Sequence, residues 1–291
     1  MHLTSAPSLS QLHLEIKMLI EQAFMALPEF LTGQPFKKYK YEGTIVTAFS
    51  MAILQELNSR NVLNPVAALR EEVNYPAAPN WRADLHLDLE ALKIFTPELA
   101  SYGYYKANWL EAKFCRLNDN GKITIPALKS TLLLLKDLVR LCTLPPDSIA
   151  NERSESARYL LHAYQGEPKQ YFTYSRNGGG GRSKRDWLDL LIAPGKHAIG
   201  SLDLEKENSD TFNSVMGVGS RYIRANCSIT NLCHVPAVYG DGVYYIVLTR
   251  VDDFRVKVGN RWMARRNGIM MESHDGATYL LQASIARLLN E

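Results

Sequence analysis

The chain has 291 residues, of which 46% are hydrophobic and 22% charged, and this composition is typical of a globular protein with a sizeable core. Its net charge of +3 is too small by itself to indicate a nucleic-acid-binding protein. No uninterrupted apolar run is long enough for a membrane span, no signal peptide is visible, and four cysteines are too few for a disulfide framework. We therefore expect a cytoplasmic protein with no membrane partner.

The N-terminal part of the chain predicts two helices separated by a loop. A capping box at residues 8–11 precedes apolar residues at helical spacing, which continue until Pro28. Residues 28–40 contain two prolines and a basic cluster, so we interpret them as a connecting loop. A second helix is expected from Glu42 to about Ser59, because its apolar residues form one wide stripe.

Three strands are expected next. Residues 66–75 form an amphipathic segment, and residues 81–89 alternate without a break between apolar and polar side chains. Residues 108–116 alternate in the same way after a long connecting loop. Period-two alternation is the pattern of a strand with one apolar face. The polar faces of the last two strands would present Asp84, Glu111 and Lys113 on one surface.

The rest of the chain predicts further α and β elements. A leucine-rich helix is expected over residues 126–142, followed by a strand over 157–164. Residues 175–185 are rich in glycine and basic residues, which indicates a flexible loop. The later residues predict strands at 244–251 and 254–258 and a C-terminal helix at 278–289. A basic stretch lies between them at residues 261–266.

Two carboxylates and an ammonium group on one surface form a plausible divalent-metal site with a cation beside it. The spacing of Asp84 from Glu111-Ala112-Lys113, and the order helix, three strands, helix, strand, resemble the PD-(D/E)xK restriction-endonuclease-like superfamily. The resemblance covers about half of the chain, from Pro35 to Phe172. It implies an α/β fold in which an αβββαβ core holds a central mixed sheet flanked by helices.

The resemblance also implies a function: a metal-dependent deoxyribonuclease, with a type II restriction endonuclease as the expected role. Asp84, Glu111 and the carbonyl of Ala112 would bind Mg²⁺, with Mn²⁺ as a substitute. Lys113 would orient or deprotonate the attacking water and stabilise developing charge. Members of the superfamily often add a glutamate from the first core helix. Here that residue would be Glu42, with Glu56 as the alternative.

Two features make the motif less specific. Ala83 stands where the name of the superfamily has proline, and Glu-x-Lys also occurs at residues 15–17 and 167–169. Neither of those copies follows an amphipathic strand that carries an acidic residue. Asp88 lies on the same strand face as Asp84 and is an alternative metal ligand.

Basic residues are concentrated in the C-terminal half. Residues 176–266 contain 14 Lys and Arg against 9 Asp and Glu, whereas the remainder of the chain is slightly acidic. We expect one domain, with an N-terminal helix in 1–35, a catalytic core in 36–175 and a basic DNA-reading elaboration in 176–291. The expected contacts to double-stranded DNA are basic: Arg176, Arg182, Lys184, Arg185, Arg261, Arg265 and Arg266.

Restriction enzymes that cut both strands of a symmetric site usually act as homodimers, so we expect a homodimer. Two other functions remain open from the sequence. One is a nucleic-acid-binding protein with a nuclease-like fold and no catalysis. The other is an α/β interaction protein in which Asp84, Glu111 and Lys113 are ordinary surface residues that pair across strands.

Overall fold

The computed structural model describes residues 19–32, 42–76, 78–91, 105–118, 120–125, 127–145, 156–172, 186–203, 223–233, 237–239, 242–258, 261–266 and 269–272. The helices in these ranges are α1 (Leu19–Thr32), α2 (Glu42–Ser59), α3 (Ala127–Thr143) and α4 (Asp186–Ile192). The strands are β1 (Leu69–Tyr75), β2 (Ala78–Asp88), β3 (Ala107–Cys115), β4 (Ser156–Gln165), β5 (Gly195–Asp203), β6 (Ile223–Cys233), β7 (Ala237–Tyr239), β8 (Gly242–Val258), β9 (Arg261–Arg266) and β10 (Ile269–Glu272).

The ten strands form one sheet whose main order is β1-β2-β3-β4-β8-β6-β5, with β7 and β9 paired to β8 and β10 paired to β9. Strands β3 and β4 are parallel, and the other neighbours are antiparallel. Helix α3 supplies the crossover that two consecutive parallel strands need. The prediction of an α/β protein with a central mixed sheet and flanking helices is confirmed.

Two hydrophobic layers cover the sheet. On one side, α1 and α2 bury Phe24 and Phe49 against Leu85 of β2. On the other side, α3 and α4 bury a second set that includes Leu138 and Leu191. Each such side chain contributes about 1.5–3 kcal/mol when it is fully removed from water. The sheet is therefore held between helices on both faces.

Helix α1 does not end at Pro28, as the sequence predicted, but continues to Thr32. A proline inside a helix removes one backbone hydrogen bond and costs about 3 kcal/mol. The turn around Pro28 is retained because Leu27 and Leu31 are both buried in the core. Tertiary packing thus outweighs a local signal for termination.

The strands also differ in detail from the predictions. The segment predicted as a strand from residue 66 begins with the 3₁₀ turn Pro65–Ala68, so β1 starts only at Leu69. The strands predicted at 244–251 and 254–258 are one strand, β8, and the pairing with β6 shifts at Ser228 and Ile229. This β-bulge accommodates the polar residues that resembled a break.

The sequence pattern does not indicate β5 or β6, which extend the sheet beyond β8. The basic stretch Arg261–Arg266 is strand β9. The predicted capping box at 8–11, the glycine-rich segment at 175–185 and the helix at 278–289 lie outside the described residues. Among the helices that the structure describes, none is long and apolar enough to cross a membrane.

A directional chain of buried hydrogen bonds joins three central strands. Asn231 of β6 donates through Nδ2 to the carbonyls of Leu190 and Ala193, so its Oδ1 accepts from Thr249 Oγ1 at 2.7 Å. The hydroxyl oxygen of Thr249 must then accept from His162 Nε2 at 3.0 Å, which leaves His162 Nδ1 to accept from the Tyr164 hydroxyl at 2.7 Å. Each ring nitrogen of a neutral imidazole is therefore satisfied.

We expect His162→Ala to destabilise the protein by about 3 kcal/mol, because it creates a cavity and removes the partner of the Thr249 hydroxyl. Burial lowers the pKa of His162 to about 3, so the side chain is neutral at pH 7 and a lost charge does not contribute. Urea unfolding at pH 7 measures the change. His197→Ala, in the partly exposed β5, is the control and should change the unfolding free energy little. Equal losses in the two variants would contradict this account.

Candidate active site

The site begins where the pairing of β2 with β3 stops. Described pairs run from Asp88 opposite Ala107 to Leu85 opposite Leu110 and go no further. At the next position, Asp84 Oδ2 accepts the backbone N–H of Ala112 at 2.6 Å. The Asp84 carboxylate therefore replaces a backbone carbonyl as the acceptor for an N–H of β3. This contact fixes the Asp84 carboxylate beside the Glu111-Ala112-Lys113 segment.

Glu111 is a carboxylate in the interior of the protein, with 1% of its surface exposed. The Tyr75 hydroxyl donates to Glu111 Oε1 at 2.5 Å, and Arg140 Nη1 lies 3.1 Å from Glu111 Oε2. Tyr75 is itself stacked on Trp109 with ring centroids 5.1 Å apart. A buried charge needs paired and hydrogen-bonded surroundings. Strand β1, strand β3 and helix α3 together provide them.

Lys113 lies between carboxylates from two helices. Its Nζ is 3.0 Å from Glu42 Oε2 and 3.2 Å from Asp137 Oδ2. Glu42 is the first residue of α2, and its Oε2 also accepts the backbone N–H of Phe114 at 3.2 Å. The N-terminus of a helix favours such an acidic side chain. The glutamate selected from the sequence on the first core helix therefore contacts Lys113 directly.

Burial and like charges change the titration of this cluster. Burial raises the pKa of Asp84 to about 7; the N–H of Ala112 opposes this, and the carboxylates of Glu42 and Asp137 add to it. Burial also raises the pKa of Glu111 well above its usual range, although Arg140 opposes the change. For Lys113, burial favours the neutral amine, but Asp137 and Glu42 outweigh burial and raise its pKa. The ammonium therefore stays charged at neutral pH.

The structure separates the alternatives left open by the sequence. Asp88 Oδ1 accepts the backbone N–H groups of Glu90 and Ala91 at 3.0 and 3.3 Å, so this carboxylate caps the turn at the end of β2. Glu56, near the end of α2, pairs with Arg60 at 2.6 Å. Neither contacts Lys113, whereas Glu42 does. The geometry favours Asp84 and Glu42 as the members of the cluster.

Three residues of the cluster were not predicted: Tyr75, Asp137 and Arg140. Asp137 is buried on α3, on the same helix face as Leu134, Leu138 and Leu141. A carboxylate at helical spacing within an apolar stripe was the signal available in the sequence. Arg140 follows three residues later and contacts Asp137 Oδ1 at 3.3 Å as well as Glu111. Nothing in the sequence pattern around Tyr75 identified it as a member of the cluster.

The predicted DNA-contacting residues fall into two groups. Arg176, Arg182, Lys184 and Arg185 lie outside the described residues. Arg261, Arg265 and Arg266 belong to β9, which pairs with residues 255–258 of β8, beyond the residues 244–250 of β8 that pair with β4. They are thus separate from the carboxylate cluster along the sheet.

The residues at the site suit a divalent cation by charge. Asp84, Glu111, Glu42 and Asp137 supply four carboxylates, and the cations in direct contact with them are Lys113 and Arg140. When all four are ionised, two negative charges lack a contacting cation. Within the described part of the chain, no three His, Cys, Asp or Glu side chains converge as a metal-binding group. Mg²⁺ requires fewer, since it commonly binds one or two carboxylates and keeps several waters.

We expect Asp84→Asn to stabilise the metal-free protein at pH 8. The contribution of the Asp84 carboxyl to stability is fully present below its ordinary pKa of 3.8 and is lost as the pH rises to about 7. An amide stays neutral and still accepts the N–H of Ala112. Thermal unfolding in EDTA should show a Tm increase of roughly 5 °C at pH 8 and a smaller one at pH 5.

Asp88→Asn is the matched control, because it makes the same chemical change four residues away on the same strand. Its amide oxygen can still cap the turn at Glu90, so Asp88→Asn should not reproduce the Tm gain of Asp84→Asn. A Tm gain for Asp84→Asn that is equal at pH 5 and pH 8 would contradict the raised pKa of Asp84.

The chain was also compared with known proteins. Searches against protein-family models, curated proteins and solved structures found no match. The side chains that the fold brings together around Glu111 and Lys113 are therefore the basis for the function proposed below.

Proposed function

We propose that the protein is a Mg²⁺-dependent endonuclease that hydrolyses phosphodiester bonds in double-stranded DNA. The observation that carries the proposal is the convergence of Asp84, Glu111 and Lys113 with Glu42, which come from two strands and one helix. The element order α2-β1-β2-β3-α3-β4 supports assignment to the PD-(D/E)xK restriction-endonuclease-like superfamily. A type II restriction endonuclease acting as a homodimer is the proposed biological form.

Asp84 and Glu111, with the carbonyl oxygen of Ala112, would hold Mg²⁺ or Mn²⁺. Both ions accept carboxylate, carbonyl and water oxygens as ligands. Bound there, the ion supplies activation of water and neutralisation of charge on the scissile phosphate. Asp84 must be ionised for this role. Because burial raises the pKa of Asp84 to about 7, proton release and metal binding are coupled, and affinity should fall as the pH drops below 7.

Lys113 would serve as a fixed cation at the scissile phosphate. Asp137 and Glu42 outweigh burial and keep its ammonium protonated. Of the two roles considered for this lysine, deprotonation of the water is therefore the less suitable. We assign Lys113 to hydrogen-bond donation toward a phosphate oxygen as negative charge develops.

The surrounding residues would position the acidic groups. Tyr75 and Arg140 hold the two carboxylate oxygens of Glu111 at 2.5 and 3.1 Å. Glu42 and Asp137 hold Lys113 from two helices. Partners of this kind orient catalytic and metal-binding groups, and their loss typically reduces metal affinity or activity 10- to 100-fold. Tyr75, Asp137 and Arg140 are positioning residues in this proposal.

Incubation of plasmid DNA with the protein should produce cuts in Mg²⁺ and none in EDTA. Asp84→Ala and Lys113→Ala should each reduce cleavage by at least about 100-fold, because each removes charge stabilisation from the transition state. Gel electrophoresis of a time course measures the rate. Mg²⁺ should also raise the Tm of the wild type at pH 8 and leave that of Asp84→Ala unchanged.

Lys169→Ala is the matched control for Lys113→Ala, because Lys169 is exposed and belongs to another Glu-x-Lys tripeptide. It should cut at the wild-type rate. Metal-dependent cutting that survives both Asp84→Ala and Lys113→Ala would reject this active site. A wild type that shifts DNA on a gel without cutting it would instead favour the non-catalytic nucleic-acid-binding protein.

A further inference from the structure

A basic and aromatic surface lies beside the carboxylate cluster. The Nζ of Lys136 lies 4.8 Å from the centroid of the Trp81 ring, and Cζ of Arg140 lies 4.9 Å from the same centroid. Two cations therefore share one indole. Arg140 also reaches the carbonyl oxygen of Arg82, the residue after Trp81, through a hydrogen bond from Nη2. These contacts attach helix α3 to the first half of β2.

Lys136 differs from its charged neighbours in its partners. Lys113 contacts two carboxylates and Arg140 contacts Glu111 and Asp137. Within the described part of the chain, Lys136 forms no ion pair, and its contact is with the Trp81 ring. A half-buried ammonium without a carboxylate has lost part of its hydration and gained no anion in return.

The surroundings of Lys136 are cationic as well. Burial lowers the pKa of Lys136, and the nearby charges of Arg140 and Lys113 lower it further, against weaker opposition from Asp137 and Glu111. An anion that reached this ammonium would relieve both effects. The ammonium is thus able to gain more from an added anion than a solvated surface lysine would.

The position of Lys136 fits the path of a nucleic-acid backbone. Lys136 directly precedes Asp137, which contacts Lys113, and lies one helical turn before Arg140. Trp81 lies three residues before Asp84 on β2, which is about 10 Å along an extended strand. A DNA strand advances about 3.4 Å per nucleotide. A phosphate at Lys136 would therefore be only a few nucleotides from one at Lys113.

Arg82, the next residue on β2, does not belong to this surface. Its guanidinium donates to the Asn74 side chain at 3.1 Å, and successive side chains of a strand point to opposite faces. Because Trp81 lies against helix α3, Arg82 points to the other face of the sheet. The basic and aromatic surface therefore consists of Lys136, Arg140 and Trp81.

We propose that Lys136, held against Trp81, binds a phosphodiester of the DNA backbone a few nucleotides from the one that is cleaved. This inference rests on the proposed function for its substrate class. Trp81 limits the freedom of the long lysine side chain, which lowers the entropy lost when the ammonium contacts a phosphate oxygen. Contacts to phosphates set position and affinity without reading sequence. Lys136 and Trp81 would therefore hold the DNA backbone and position the duplex at the cleavage site, and we call this pair the backbone clamp.

The test measures duplex DNA binding in EDTA, where no cleavage occurs, by fluorescence anisotropy over a range of salt concentrations. Lys136→Gln should reduce the slope of log affinity against log salt by about 1, and should weaken binding roughly eightfold at 0.1 M salt. Lys136→Arg keeps the charge and should retain the wild-type slope.

Lys196→Gln is the matched control. Lys196 is an exposed lysine on β5, four strands from β3, or about 19 Å along the sheet. The control removes the same charge and should leave the slope unchanged. Each variant is first checked by thermal unfolding, and Lys136→Gln is expected to fold because its side chain retains most of the lysine stem.

Two results would overturn the clamp: an unchanged slope for Lys136→Gln, or equal reductions for Lys136→Gln and Lys196→Gln. The failure of the proposed function has a different signature. In that case the wild type would bind DNA with a Lys136-dependent slope but would not cut it in Mg²⁺. Cutting by the wild type together with an unchanged Lys136→Gln slope would reject only the clamp.

Discussion

The buried Glu111 carboxylate is the constraint on which the arrangement around the site depends. A charge with 1% exposure in the middle of a sheet is stable only when its lone pairs are satisfied. Arg140 and Tyr75 provide this, and in doing so they fix helix α3 and the edge strand β1 against β3. Apolar residues of similar volume would stabilise a core at least as well. Stability alone therefore does not explain a buried ion pair at this position, and the proposed metal site would.

The Lys113 ion pairs extend this constraint to the other side of the sheet. Glu42 belongs to α2, which packs in the layer of Phe49 and Leu85, whereas Asp137 belongs to α3 in the opposite layer. Lys113 thus contacts helices from both layers at once. The cluster is assembled only when the sheet, α2 and α3 are all in place, so its geometry is a property of the whole fold rather than of the Glu-x-Lys tripeptide.

The cluster contains more carboxyl groups than cations, and this difference affects how its members titrate. Burial and neighbouring carboxylates raise the pKa of Asp84 to about 7, while the same carboxylates hold Lys113 in its charged form. Groups whose surroundings move their pKa values are concentrated at functional sites. Beside this cluster the local charge is positive, because Lys136 and Arg140 both lie against the Trp81 ring. The proposed metal site and a cationic surface therefore adjoin each other on one helix.

The sequence by itself determined the α/β class and the strands β2 and β3, because period-two alternation is local. The same alternation pointed to Asp84, Glu111 and Lys113 as site candidates, whereas Glu42 was selected from the superfamily resemblance. Tertiary structure distinguishes Asp84 from Asp88, since only contacts show that one accepts the N–H of Ala112 and the other caps a turn. Tyr75, Asp137, Arg140 and Lys136 joined the site through packing across the sheet. Their roles depend on long-range neighbours that no periodic pattern records.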